Sequence, residues 1–247
     1  MEFLEGISAL QIAVAVAATL GAAFVRGLTG FGFGIVLVPV LALAISPVEA
    51  VLAINIMAGL LALIDVRLVL REAERSVLIL GALIVAGTLP GLLLLYAMPP
   101  AFARVLIALA ALIAFFAILL PQRGPGQHSA AITTATGLSA GLLTGLVGMP
   151  GPPVIPYYMS RDIPKATAKA SMIGVFGIAA IAGVGSGVAI GVLNARTLTF
   201  GLALFPFVLL GNWLGSLVFG SVSDRVWRLI VGLVLGGAAV AAVLRLF

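Results

Sequence analysis

The sequence has no cysteine, one histidine (His128), and charged side chains at only 9% of its 247 positions. Without cysteine there are no structural disulfides and no thiolate-ligated metal, and the redox compartment stays undetermined. One histidine among scattered carboxylates supplies no metal-ligand set, and no cofactor is expected. So little charge cannot cover a water-soluble fold of this size. The net charge of +5 is spread over short loops, with no basic stripe and no aromatic-rich binding motif, so no nucleic-acid partner is expected. Alternating strand patterns are missing, which argues against a barrel. No Walker A motif occurs, so nothing in the chain marks ATP hydrolysis.

What the sequence has instead is apolar residue: 63% of positions, with mean hydropathy +1.31. Apolar stretches fall near 7–25, 50–66, 77–98, 104–120, 130–148, 167–192, 198–220 and 226–244. Most approach the ~20 residues a helix needs to cross ~30 Å of hydrocarbon. Lipid offers no partner to an open strand edge, so these are helices. The expected class is an all-α, polytopic helical membrane protein embedded in the lipid bilayer. The N-terminus carries two glutamates and no basic residue before its first apolar run, unlike a secretory signal, so the first helix is expected to be retained.

The chain resembles itself. Gly27-Leu28-Thr29-Gly30 aligns with Gly145-Leu146-Val147-Gly148, Pro39 with Pro156, and Pro47 with Pro164. Gly87, Gly91 and Arg104 align with Gly211, Gly215 and Arg228 at identical internal spacing. A single membrane domain over 1–247 is expected, with one repeat over about 7–120, a linker at 121–129, and a second repeat over about 130–247.

Each half holds four long apolar stretches and one short segment, 31–45 or 149–159. Pro150, Pro152, Pro153 and Pro156 make continuous helix unexpected in the second. If the short segments cross, there are ten crossings and the repeats are inverted; if they dip and return, there are eight and the repeats are parallel. With ten, one face collects Arg26, Arg67, Arg71, Arg75, Arg123, Arg161, Lys165, Lys169, Arg225 and Arg228, leaving Arg104, Arg196 and Arg245 on the other. With eight, the thirteen basic residues divide seven against six. The positive-inside bias favours ten.

Paired Gly/Pro-interrupted segments at matching positions of two halves point to a transporter's binding site. A helix broken inside the protein presents unpaired N–H groups and a positive dipole end, which suit an anion. In GLTGFGFG, the amides of Gly30, Gly32 and Gly34 are candidate ligands, with Phe31 and Phe33 as walls or gates. In the second break Pro150, Pro152 and Pro153 lack N–H, leaving Gly148, Met149 and Gly151. The competing reading is that such small residues merely let helices approach, and for 81–91 and 211–220 it is favoured.

Among polar groups, Arg26 either neutralises an anion or anchors its helix end. Asn55, Ser171 and Asn212 either donate to a ligand or bond between helices. Thr29, Thr144, Tyr157 and Tyr158 are weaker candidates. Asp65 is expected near the interface, and Lys165 and Lys169 on the cytoplasmic face. GLSAG (137–141) matches G-x-S-x-G, but neither a strand-to-helix elbow nor a nearby histidine supports a hydrolase, and no enzyme is expected.

The stretch FVRGLTGFGFGIVLVPVLAL with SPVEAVLAINI, and SAGLLTGLVGMPGPPVIPYYMSRDIPKATAKASMIG, resemble the paired signature regions of the sulfite exporter TauE/SafE family. There a Gly-rich turn, an apolar run with a proline, a second proline and an Ala-rich helix occur once per half. The second motif departs from the commoner GxGGG-like run and resembles a Pro-Pro variant. The resemblance implies a carrier of sulfite, organosulfonates or related small anions in a bacterial inner membrane. It leaves homo-oligomerisation open.

Overall fold

The computed structural model describes residues 8–119 and 129–217. The linker residues 121–128 with Arg123 and His128, the apolar stretch 226–244, and Arg225, Arg228 and Arg245 lie outside the described residues. Among the described residues there are nine helices and no strand: α1 (Ala9–Thr29), α2 (Phe33–Ala44), α3 (Pro47–Glu72), α4 (Ser76–Ala97), α5 (Pro100–Leu119), α6 (Ala130–Val147), α7 (Gly151–Met159), α8 (Lys165–Ala189) and α9 (Ala195–Leu217).

Their boundaries follow local chemistry. Ser8 with Gln11 and Ser46 with Glu49 form capping boxes at the starts of α1 and α3, where Pro47 opens the first turn of α3. Ser129 caps α6. Gly30 and Gly148 end α1 and α6 in the left-handed conformation, φ +85° and +68°. Six helices, α1, α3, α4, α6, α8 and α9, are long and apolar enough to cross a membrane. Leu70, Leu78 and Ile113 are 81%, 72% and 68% exposed, as a lipid-facing surface requires.

The helices α2 and α7, of 12 and 9 residues, are too short to cross. At ~1.5 Å per residue they span roughly 18 and 14 Å of a ~30 Å core. Against expectation, the proline-rich segment is helical. Pro152 and Pro153 occupy the first turn, where an N–H has no intrahelical acceptor, so their missing donors cost nothing; Pro156 alone interrupts the bonding inside α7.

Side-chain contacts fix which helix ends lie together. Late in α1, Arg26 meets Asp65 late in α3 and Asn212 late in α9. Glu74, just after α3, pairs with Arg161, just after α7, and Tyr157 at the end of α7 meets Thr133 at the start of α6. These ends carry the basic residues. Toward the other end, Arg104 at the start of α5 donates from Nε to the Ala42 carbonyl near the end of α2, 2.7 Å away. Successive helices from α1 to α9 therefore alternate in direction. Half-helix α2 runs from the cavity described below to the far end, and α7 runs from that cavity to the basic end.

Glycines set the tightest packing. In α1 against α9, a Cβ on Gly211 would meet the Leu20 carbonyl oxygen at 2.5 Å, and Gly27 and Gly215 lie against the carbonyls of Asn212 and Phe24. Between α4 and α6, Gly87 abuts Leu138, Gly91 abuts Leu142, and Gly145 abuts Thr88. In each pair the contacts advance together along both chains, so the helices run parallel. This is small-residue packing, with backbone close enough for Cα–H···O contacts.

Candidate functional site

The chain between α1 and α2 makes two left-handed turns in three residues, Gly30 at φ +85° and Gly32 at +91°, which L side chains rarely adopt. The Gly30 N–H donates to the Arg26 carbonyl at 2.6 Å, and Thr29 Oγ1 accepts from the Phe31 N–H at 3.2 Å. One of the expected cradle amides, that of Gly30, is thereby occupied by the turn itself, as is the neighbouring Phe31 amide. The first helical bond of α2 runs from the Val36 N–H to the Gly32 carbonyl, 3.1 Å. The N–H groups of Gly32, Phe33, Gly34 and Ile35 form the uncapped helix start, with no side-chain cap present.

The second break differs. Gly148 and Met149 donate back to the carbonyls of Thr144 and Leu143, at 3.0 and 3.2 Å. Pro150, Pro152 and Pro153 have no N–H, so Gly151 keeps the single amide of this helix start. The two breaks touch: a Cβ on Gly34 would lie 2.5 Å from the Gly148 carbonyl oxygen.

Between them lies a cavity of about 60 Å³. Arg26, Gly30, Phe31, Gly32, Phe33, Gly34, Asn55, Gly148, Met149, Pro150 and Gly151 line it, with Ile35, Ile54, Ala58, Phe176 and Ala180 completing the wall. A single water needs roughly 10–15 Å³ of such space, so an ion of a few heavy atoms fits. Asn55 is 3% exposed, and its Nδ2 has no hydrogen-bond partner. Gly183 of α8 packs against this amide and leaves no room for a side chain of its own. A buried donor left unmade costs ~1–3 kcal/mol, and this one belongs to a residue of the cavity wall.

Arg26 reaches the cavity from a pinned position. Its Nη1 donates to Asn212 Oδ1 at 2.8 Å and its Nη2 to Asp65 Oδ2 at 2.7 Å. Asp65, expected near the interface, is bound to a cavity-lining residue. Lys169, expected at the cytoplasmic face, lays its aliphatic stem along Gly30, with Cγ 3.1 Å from where a Cβ would stand.

Several sequence candidates stand outside the cavity. Thr29 pins the turn. Ser171 Oγ accepts the Glu74 N–H at 2.8 Å. The Tyr157 hydroxyl accepts from Arg161 Nη1 at 3.0 Å and bonds Thr133 at 3.1 Å. Asn212 touches the cavity only through Arg26, and Pro152 is not among the lining residues. Phe176 and Ala180 went unnoticed in the sequence; their i, i+4 spacing on α8 was the available signal. Ser139 Oγ donates to the Ala135 carbonyl on an exposed helix face, and no group of three or more metal-ligating side chains occurs among the described residues.

Six membrane-length apolar helices packed around two broken ones make this a multi-pass membrane protein. The chain belongs to the Sulfite exporter TauE/SafE family, whose family model matches residues 15–242. It is therefore a transporter of a sulfur-anion exporter family and not an enzyme. No curated protein and no solved structure matches it.

Proposed function

We propose that the protein is a secondary transporter exporting a small sulfur oxyanion or organosulfonate across the bacterial inner membrane, and that it binds the anion in the cavity between the two broken helices. The observation that carries this is the Asn55 amide nitrogen, buried without an acceptor on the wall of a cavity faced by two helix starts. The α2 start would supply the main ligands, Gly32, Phe33, Gly34 and Ile35, while the α7 start adds its dipole and the Gly151 amide. Phe31, Phe33, Met149 and Phe176 would exclude water and strengthen these bonds. Two half-helices entering from opposite ends, each starting at the cavity, also support inverted repeats with α2 and α7 as half-crossings.

The test is thermal stability of the detergent-purified protein against sulfite, sulfate, thiosulfate, taurine, sulfoacetate and chloride, for the native chain and Asn55→Ala. Selective stabilisation by a sulfur anion is expected, at ~2.7 kcal/mol for ligand at a hundred times its Kd. Asn55→Ala should lose that response while keeping its ligand-free stability, because it removes a donor with no partner. A structural amide would give the opposite result, lower basal stability with the response intact. Stabilisation by chloride or a carboxylate alone would reassign the substrate to another small anion.

A further inference from the structure

Arg26 is the one arginine of the cavity lining among the described residues, yet two of its guanidinium donors already hold protein oxygens, Asn212 Oδ1 at 2.8 Å and Asp65 Oδ2 at 2.7 Å. The Arg26 and Asp65 side chains are 12% and 24% exposed, so the pair is poorly screened by water and salt. The ion pair joins α1 to α3, and its two residues lie 39 apart in sequence, which local helix chemistry does not account for. Among the described residues, the charged groups near the turn are Arg26 on α1, Asp65 on α3 and Lys169 on α8, two cationic side chains and one acidic.

We propose that Asp65 is an internal counter-ion: it holds Arg26 in the empty carrier, and a substrate oxyanion displaces it, so that Asp65 sets both substrate release and a preference for singly charged anions. Resting on the anion site proposed above, this assigns that site its charge selectivity. An oxyanion seated at Arg26 comes within a few ångströms of the Asp65 carboxylate. The Coulomb energy scales with the product of charges, so Asp65 takes from a dianion twice the attraction that it takes from a monoanion at the same place, and its presence shifts the preference toward the monoanion. Selectivity built from such a repulsive element is negative design against the wrong charge. The carboxylate also offers Arg26 an alternative partner, which returns when the substrate leaves. A carrier must bind weakly enough to release, and the returning ion pair serves that end.

The effect belongs to Asp65 as a positioning residue, so the test must read more than stability. Full-length protein carrying Asp65→Asn, with Asp65→Glu as the charge-preserving variant, is reconstituted in liposomes and also titrated in detergent. The probes are methanesulfonate, a monoanion, and sulfate, a dianion. Asp65→Asn is expected to lower the half-stabilising sulfate concentration by about tenfold, and the methanesulfonate one by less. Transport by Asp65→Asn should show KM and kcat falling together, with Asp65→Glu close to the native chain. If Asp65→Asn lowers thermal stability yet leaves both titration midpoints and their ratio unchanged, Asp65 only ties α1 to α3 and the proposal is wrong. If the native chain responds to no anion, the site itself is misassigned and the proposal falls with it; a native response with an unchanged variant defeats the counter-ion alone.

Discussion

The residue on which the site turns most directly is Gly32. Its φ of +91° is a left-handed backbone conformation, and a Cβ there would lie 3.0 Å from Val25 Cγ1. Forcing an L side chain into that conformation costs ~1–2 kcal/mol, well below the ~5–15 kcal/mol that separates folded from unfolded protein. Gly32→Leu is therefore expected to yield folded, monodisperse protein that has lost transport, because the side chain would stand where the proposed site needs backbone to meet the anion. Normal uptake or efflux by that variant in liposomes would show that no anion sits at this turn. Gly34 makes a different prediction. Its Cβ would run into the Gly148 carbonyl oxygen at 2.5 Å, which is backbone and cannot swing aside. Gly34→Ala must push the two breaks apart, at ~1–3 kcal/mol of overpacking, and both thermal stability and transport should fall.

Helices that cross the membrane meet through glycine, and the same substitution has opposite consequences at packed and at open positions. Gly145 lies against the Thr88 carbonyl and Gly215 against that of Phe24, whereas Gly21 on α1 and Gly185 on α8 have open space around them. Gly145→Ala and Gly215→Ala should lower the melting temperature. Gly21→Ala and Gly185→Ala should leave it unchanged or raise it, with up to ~1 kcal/mol from better helix propensity. Equal losses at all four positions would mean that these glycines do not mark the helix contacts. The element scale is also where sequence reading succeeded and failed in instructive ways. The breaks at 30–32 and 148–150 were legible because glycine and proline act locally on the backbone. The helix α7 was not, since the meaning of a proline depends on whether it falls in the first turn or the interior, and four prolines in a row of seven read as interruption. The walls given by Phe176 and Ala180, and the Arg26–Asp65 pair, were not legible because each depends on contacts between helices far apart in sequence.

Across the whole molecule, the number of crossings was left by the sequence to a charge tally, since an apolar run shows its length but not its direction. Contacts now bear on it. Glu74, between α3 and α4, pairs with Arg161, between α7 and α8, so these two connections share one end of the helix bundle. With ten crossings they must share a face. With eight crossings, in which α2 and α7 dip and return, they fall on opposite faces. The absence of cysteine makes the question directly measurable, because any introduced thiol is unique. Glu72, Pro99, Asp162 and Ala195 are exposed at the α3–α4, α4–α5, α7–α8 and α8–α9 connections. Replaced singly by cysteine and probed in intact cells with a membrane-impermeant thiol reagent, Pro99→Cys and Ala195→Cys should label together, while Glu72→Cys and Asp162→Cys stay protected until the membrane is opened. That sign follows from the basic residues, among them Arg67, Arg71, Arg75 and Arg161, facing the cytoplasm. Eight crossings would instead group Glu72 with Ala195 and Pro99 with Asp162. The pairing alone decides between the two, whichever face is labelled, and with it whether α2 and α7 approach the proposed site from opposite sides of the membrane.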